Sequence, residues 1–348
     1  MSTETPRPLP KTLVQAVLRQ FTDAAKVCKD LYLVMIPIII GIKVLEELDL
    51  IQYAAWPLTP IMELVGLPAE MGLVWAFSII SNLYSGIIVY AALAPDLPTL
   101  SVAQITVLTT MMLVAHNILV ECRITKLAGV SFLGQAVIRI LGAAVFGLVM
   151  HLLFTHFDLL QEPSAMLFTP SPQVETWWGW ALGEIRNLAM VFVIIFSLLL
   201  IMKILKRLRI TDLLVFLLTP VLRLLGIGKS AATVTVIGLA LGLTYGGGLI
   251  VHEVRQGNVD QRDLFPSLTL MGLSHALIED TLLMLLLGAH LIGVLWLRLA
   301  LSLIAVALFT HIILRIWPHK PKPLPSIQPG EPGEPIDTID TKDPGDRP

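Results

Sequence analysis

Lys203–Ile210 reads KILKRLRI, and 160 residues earlier Lys43–Leu50 reads KVLEELDL. The two stretches share one frame of Lys, aliphatic, Leu and Leu. Where the second carries Lys206, Arg207 and Arg209, the first carries Glu46, Glu47 and Asp49. A pattern written twice with its charges inverted has a meaning that depends on the solvent around the chain.

That solvent is lipid. Of 348 residues, 55% are hydrophobic and 14% charged, with a mean hydropathy of +0.79, whereas soluble domains carry about a quarter charged residues. Long, nearly uncharged windows run over Met71–Ala94, Leu127–Phe154, Trp177–Met202, Ala231–Val251 and Leu282–Trp317. Roughly 20 apolar residues suffice for a helix to cross the hydrocarbon core. A water-soluble core of this size would need charged outer helix faces, which are missing. The expected fold class is an all-α polytopic membrane protein.

The net charge of −2 decides little, because the placement of Lys and Arg sets orientation in a membrane. Two cysteines, Cys28 and Cys122, are too few for a disulfide framework or a thiolate metal site. No cleavable signal peptide is expected at the start. Residues 1–30 read as an N-terminal basic amphipathic helix at the interface, and 318–348, rich in Pro, Gly, Asp and Lys, as a disordered cytoplasmic tail.

Sliding the chain against itself extends the opening match. Thr59-Pro60 aligns with Thr219-Pro220 and Gly66 with Gly226, again at 160; Tyr84 aligns with Tyr245 at 161; His116, Glu121 and Arg139 align with His275, Asp280 and Arg298 at 159. The chain therefore divides into a first repeat, 31–155, an external linker, 156–176, and a second repeat, 177–317. Arg19, Lys26 and Lys29 precede the first hydrophobic segment, the linker has no Lys or Arg, and a basic cluster follows the first segment of the second half. Positive residues favour the cytoplasm. Both termini are then cytoplasmic, and the two repeats are expected to have inverted topology. Inversion needs an odd number of crossings per half, yet each half shows about four apolar segments. One segment, or a hairpin pair, must fail to cross. The polar interruptions SNLYSG at 81–86, LTYGGG at 243–248, AHNILVECR at 115–123 and SHALIEDT at 274–281 mark the expected re-entrant or broken helices, a signature of transporter binding sites.

Those interruptions also carry the candidate site. An ionisable group near mid-bilayer costs at least ~2.5–3.5 kcal/mol on insertion scales. Ser274, His275, Glu279 and Asp280 in the second half answer to His116, Asn117 and Glu121 in the first. On a continuous helix His275 and Glu279 would share a face. The group is expected to bind substrate or a coupling cation, against the plainer alternative that it caps helix ends at the membrane surface. HxxxE lacks the second His of a zinc helix, so neither a metal site nor another cofactor is expected. Tyr245, Gly246 and Gly247 are further substrate-binding candidates. The glycine run can unwind a helix or let two helices pack closely. Arg139 and Arg298, deep in apolar runs, are expected to form structural ion pairs with Glu121 and Asp280.

LTPIMELVGLP and LTPVLRLLGIG, each followed by a glycine-bearing helix, together with the polar SHALIEDT segment, resemble the nucleoside recognition or Gate domain family. The resemblance implies two Gate domains in tandem, over roughly 31–150 and 190–315. In that family the domain recurs in concentrative nucleoside transporters, in the membrane part of ferrous iron permeases and in spore maturation proteins. No GxxxxGK[ST] phosphate loop occurs, so a GTPase-driven mechanism is not expected, and no match to the substrate residues of the concentrative transporters is visible. The expected function is a secondary transporter of the cell inner membrane, moving a small polar solute, with nucleoside a candidate, coupled to H+ or Na+. The alternatives are a divalent metal cation permease and a non-transporting membrane scaffold subunit. No enzyme chemistry and no nucleic-acid partner are expected; lipid contacts follow from the composition, and a homo-oligomer is left open.

Overall fold

The computed structural model describes residues 13–166 and 176–316. Its elements are helical: α1 (Leu13–Glu47), α2 (Ile51–Ala55), α3 (Thr59–Leu64), α4 (Met71–Ile80), α5 (Leu83–Leu93), α6 (Val102–Val114), α7 (Ile118–Leu127) and α8 (Phe132–His156) in the first half. The second half holds α9 (Trp177–Arg207), α10 (Ile210–Leu224), α11 (Lys229–Leu241), α12 (Leu243–Arg255), α13 (Gln261–Ser274), α14 (Glu279–Leu286) and a π-helical turn, Ile292–Leu297, running into α15 (Arg298–Ile316). Among the described residues the only β pairing is an isolated bridge between Ser101 and Pro163.

Among the described residues five stretches are long and apolar enough to cross a membrane, and their burial divides them into two kinds. Val102–Leu127 and Arg262–Leu286 are 83% and 72% buried inside the protein; Phe132–His156, Trp177–Leu205 and Ile292–His311 are only 33%, 22% and 28% buried. The second kind presents Leu133, Val137, Leu141, Val145 and Leu152 of α8, or Ile304 and Leu308 of α15, outward. Such continuous apolar faces suit lipid. Trp177 and Trp178, exposed at the start of α9, sit where an aromatic belt would meet the membrane interface.

The first kind is broken in the middle. A backbone that leaves the helix at membrane depth is tolerated only when protein or a water-filled cavity satisfies it, and here protein surrounds it. α6 ends at Val114 and α7 starts after Asn117; α13 ends at Ser274 and α14 starts at Glu279. Asn117 and Ala276 take left-handed φ of 48° and 47° at these breaks. The Asn117 N–H donates to Ser78 O at 2.9 Å, and the Leu277 N–H donates to Leu239 O at 2.8 Å. Each break is thus tied to the end of a neighbouring short helix, α4 or α11.

Those short helices form hairpins. α4 packs along α5, and α11 along α12. Arms of 10, 11, 13 and 13 residues are too short to span roughly 30 Å of hydrocarbon at 1.5 Å per residue. Asn82 caps the second arm by accepting from Ser85 N, and Gly242, at φ +99°, makes the corresponding turn. Each half thus holds one hairpin whose arms are shorter than a full crossing.

Several expectations are corrected here. α1 is one helix through 30/31, so the expected interfacial segment and the first apolar segment are continuous. Nothing between Leu13 and Glu47 caps or stops the helix, and its interior Pro37 is tolerated. In the second half the chain turns at Gly242, while Gly246–Gly248 lie within α12. Residues 1–12, 167–175 and the expected tail lie outside the described residues. The described part of the linker folds back on α6: Val102 N donates to Glu162 O and Ser164 N to Leu100 O, both at 2.9 Å.

Candidate functional site

The two breaks meet. His116, just after α6, and His275, just after α13, face each other with Nε2 atoms 3.1 Å apart and ring centroids 4.8 Å apart. Both are buried, at 6% and 3% exposure. Glu121, on the first turn of α7, brings Oε1 to 3.2 Å from His275 Nε2 and 3.6 Å from His116 Nε2. Asp280 Oδ2 lies 3.9 Å from His116 Nε2.

The other imidazole nitrogen fixes what these atoms can do. His116 Nδ1 lies 3.1 Å from the carbonyls of Met112 and Leu113, and His275 Nδ1 lies 2.8 Å from that of Met271. Carbonyls only accept, so both Nδ1 atoms carry the hydrogen, and in the neutral rings both Nε2 atoms present lone pairs. Two lone pairs at 3.1 Å and a carboxylate oxygen repel one another. A proton or a metal ion among them would relieve that repulsion.

Arginines brace each histidine from behind. Arg139, from α8, donates from Nη2 to His116 O at 2.9 Å and from Nε to Val114 O at 2.9 Å, and its Nη1 pairs with Glu121 Oε2. Arg298, from α15, donates from Nη2 to His275 O at 2.5 Å. Both bonds span 23 residues, so the carbonyls freed by the broken helices find equivalent guanidinium partners in each half. The expected Arg139–Glu121 pair is present. The expected Arg298–Asp280 contact is absent: the Arg298 Nε and Nη1 atoms, fully buried, have no hydrogen-bond partner among the described residues. Aspartate is one methylene shorter than glutamate, and Asp280 lies toward His116.

Glycine packing sets the depth of this constellation. A Cβ on Gly246 would collide with the Gly238 Cα and the Met271 Cε; one on Gly86 would meet Ser78 Oγ and Met112 Cε. Met112 and Met271 are the residues whose carbonyls hold the imidazoles. The glycine hairpins therefore seat the turns that carry the histidines. Gly246 and Gly247 do not form an unwound ligand contact, because they are helical and buried against α11 and Ile124. The Tyr245 side chain lies outside the described residues.

His116, Glu121, His275 and Asp280 are thus brought together from both halves. Asn117 serves as the left-handed turn, and Ser274 is buried beside His275 with its Oγ unpartnered among the described residues. Glu279 opens α14, and it shares no helix with His275 because residues 275–278 are not helical; the common face expected from the HxxxE spacing does not exist. Unanticipated is Gln135, whose Nε2 donates to Thr269 Oγ1 at 2.8 Å across the two halves. Its place four residues before Arg139, on the same face of α8, was the available signal.

No family model matches the chain, and no solved structure matches it. The chain is similar to a protein of Bacillus subtilis (strain 168) described as an uncharacterized membrane protein, YvoD, with 25% identity over 288 residues, covering 82% of this chain and 89% of that protein. Together with the five apolar spans, this makes the chain a multi-pass membrane protein.

Proposed function

We propose that the chain is a cation-coupled secondary transporter of a small polar solute, built from two Gate-like repeats lying in the inner membrane with opposite orientation and with both termini cytoplasmic. One observation carries the reading: the two central, broken helices present His116 and His275 to each other, with Glu121 shared between them, in a protein-lined interior where no structural need calls for four ionisable groups. Broken helices meeting at a repeat interface near mid-depth are how secondary transporters build substrate and coupling-ion sites. The inverted charges of 43–50 and 203–210 and the equivalent Arg–carbonyl bonds support two halves of one design. A site split between the halves changes whenever one half rocks against the other, which links occupancy to access.

Nucleosides are the first solutes to try, from the Gate resemblance. The test is a thermal-shift panel on detergent-purified protein with nucleosides and nucleobases, followed by counterflow of the best binder in proteoliposomes. A ligand at 100 times its Kd stabilises the fold by ~2.7 kcal/mol. The expected result is one solute class that shifts the transition in wild type and not in Asp280→Asn, and that exchanges across the bilayer. A flat panel of polar solutes with a folded, monodisperse protein would refute the reading.

A further inference from the structure

The geometry points to a divalent transition-metal site at the seam between the two halves, with His116 Nε2, His275 Nε2 and Glu121 Oε1 as ligands and Asp280 as the fourth. This rests on reading the cluster as the transporter's cation site, and it names the cation: a zinc-, cobalt- or manganese-like dication.

The distances argue for it first. The three nearest donor atoms form a triangle with edges of 3.1, 3.2 and 3.6 Å. A tetrahedral ion with bonds of about 2.0–2.1 Å separates its ligand atoms by about 3.3–3.4 Å. The triangle is therefore close to one face of such a tetrahedron before any side chain moves. A carboxylate oxygen of Asp280 lies within 4.8 Å of both imidazole nitrogens, which places it beside that triangle as the remaining candidate ligand.

The surroundings argue for it next. A ligating histidine usually donates its other N–H to a carbonyl or carboxylate, which fixes the tautomer and aims the lone pair. Both Nδ1 atoms here do so, to Met112 and Met271. Glu121 is held through its other oxygen by Arg139, leaving Oε1 turned to the histidines. The second imidazole that HxxxE lacks comes from the other half of the chain, 159 residues away.

Donor chemistry and charge narrow the ion. Two imidazoles and carboxylates without thiolate suit zinc and the borderline dications, and not cuprous ion or all-oxygen calcium. Arg139 and Arg298 already balance Glu121 and Asp280. A bound dication would add two uncompensated charges, which caps affinity and suits an ion that must leave again.

The test uses the full-length protein, purified in detergent and stripped with chelator, then titrated with Co2+ followed by Zn2+. Expected are a visible cobalt absorption band of tetrahedral intensity, one ion per chain, and its displacement by zinc. His275→Asn keeps an N–H at the Nδ1 position for Met271 O and removes the Nε2 ligand, and Asp280→Asn keeps the shape. His275→Asn should weaken zinc at least ~100-fold, beyond the 10–100-fold typical of losing a supporting contact, and Asp280→Asn should weaken it by less, with both variants still eluting as single species. No band and no stoichiometric zinc, or zinc affinity unchanged in both variants, would overturn the metal assignment. Solute exchange in the same preparation would then leave the transporter reading standing, whereas failure of both would remove both.

Discussion

Arg139 and Arg298 occupy equivalent places, and each donates to the carbonyl of the histidine 23 residues before it. Beyond that bond they differ. Arg139 spends its remaining donors on Glu121 and Val114, while Arg298 Nε and Nη1 have no hydrogen-bond partner among the described residues. One methylene, the difference between Glu121 and Asp280, separates a closed ion pair from an open one. The first half is the braced side of the site, and the second holds a carboxylate that lies toward His116 and closes no ion pair with Arg298.

Breaking the braced side should have the largest effect. Glu121→Ala strands a buried Arg139, and removing one partner of a buried pair costs about 3–5 kcal/mol. Asp280→Asn should cost under ~1.5 kcal/mol, less than a full hydrogen bond to a charged group, because its carboxylate closes no ion pair. Thermal unfolding in detergent ranks the two; equal losses would erase the distinction between the halves.

The glycine hairpins sharpen the same comparison at the next scale. Gly246 meets the Gly238 backbone, which cannot yield, whereas the nearest atom to Gly86 is a serine hydroxyl on a side chain. Gly246→Ala should destabilise by ~1–3 kcal/mol through overpacking, and more than Gly86→Ala. The smallest effect is at the turns. Asn117 tolerates left-handed φ and Ala276 does not, at a strain of roughly 1–2 kcal/mol. Ala276→Gly should therefore raise the melting temperature slightly, while Asn117→Gly changes it little.

Much of this architecture was legible in the sequence. The offset of about 160 between Lys43 and Lys203, Thr59 and Thr219, and His116 and His275 marks two copies. Polar residues in mid-run at 81–86, 115–123 and 274–281 foretold where the helices break. The contact between His116 and His275 was not legible, because no local pattern states which breaks of two distant segments pack together. Helical periodicity misled at His275 and Glu279, since spacing rules fail across a break. The turn at Gly242 was hidden by the more conspicuous Gly246–Gly248, whose packing partner Gly238 lies a hairpin away.

The central claim is that the two halves meet through their histidines. The most direct measurement is a double-mutant cycle of His116→Ala and His275→Ala on unfolding free energy, in chelator at fixed pH. Residues in contact show coupling of about 0.5–3 kcal/mol, and a coupling in that range is expected here. Losses that add within ~0.3–0.5 kcal/mol, as for distant independent sites, would mean that the histidines do not share a site.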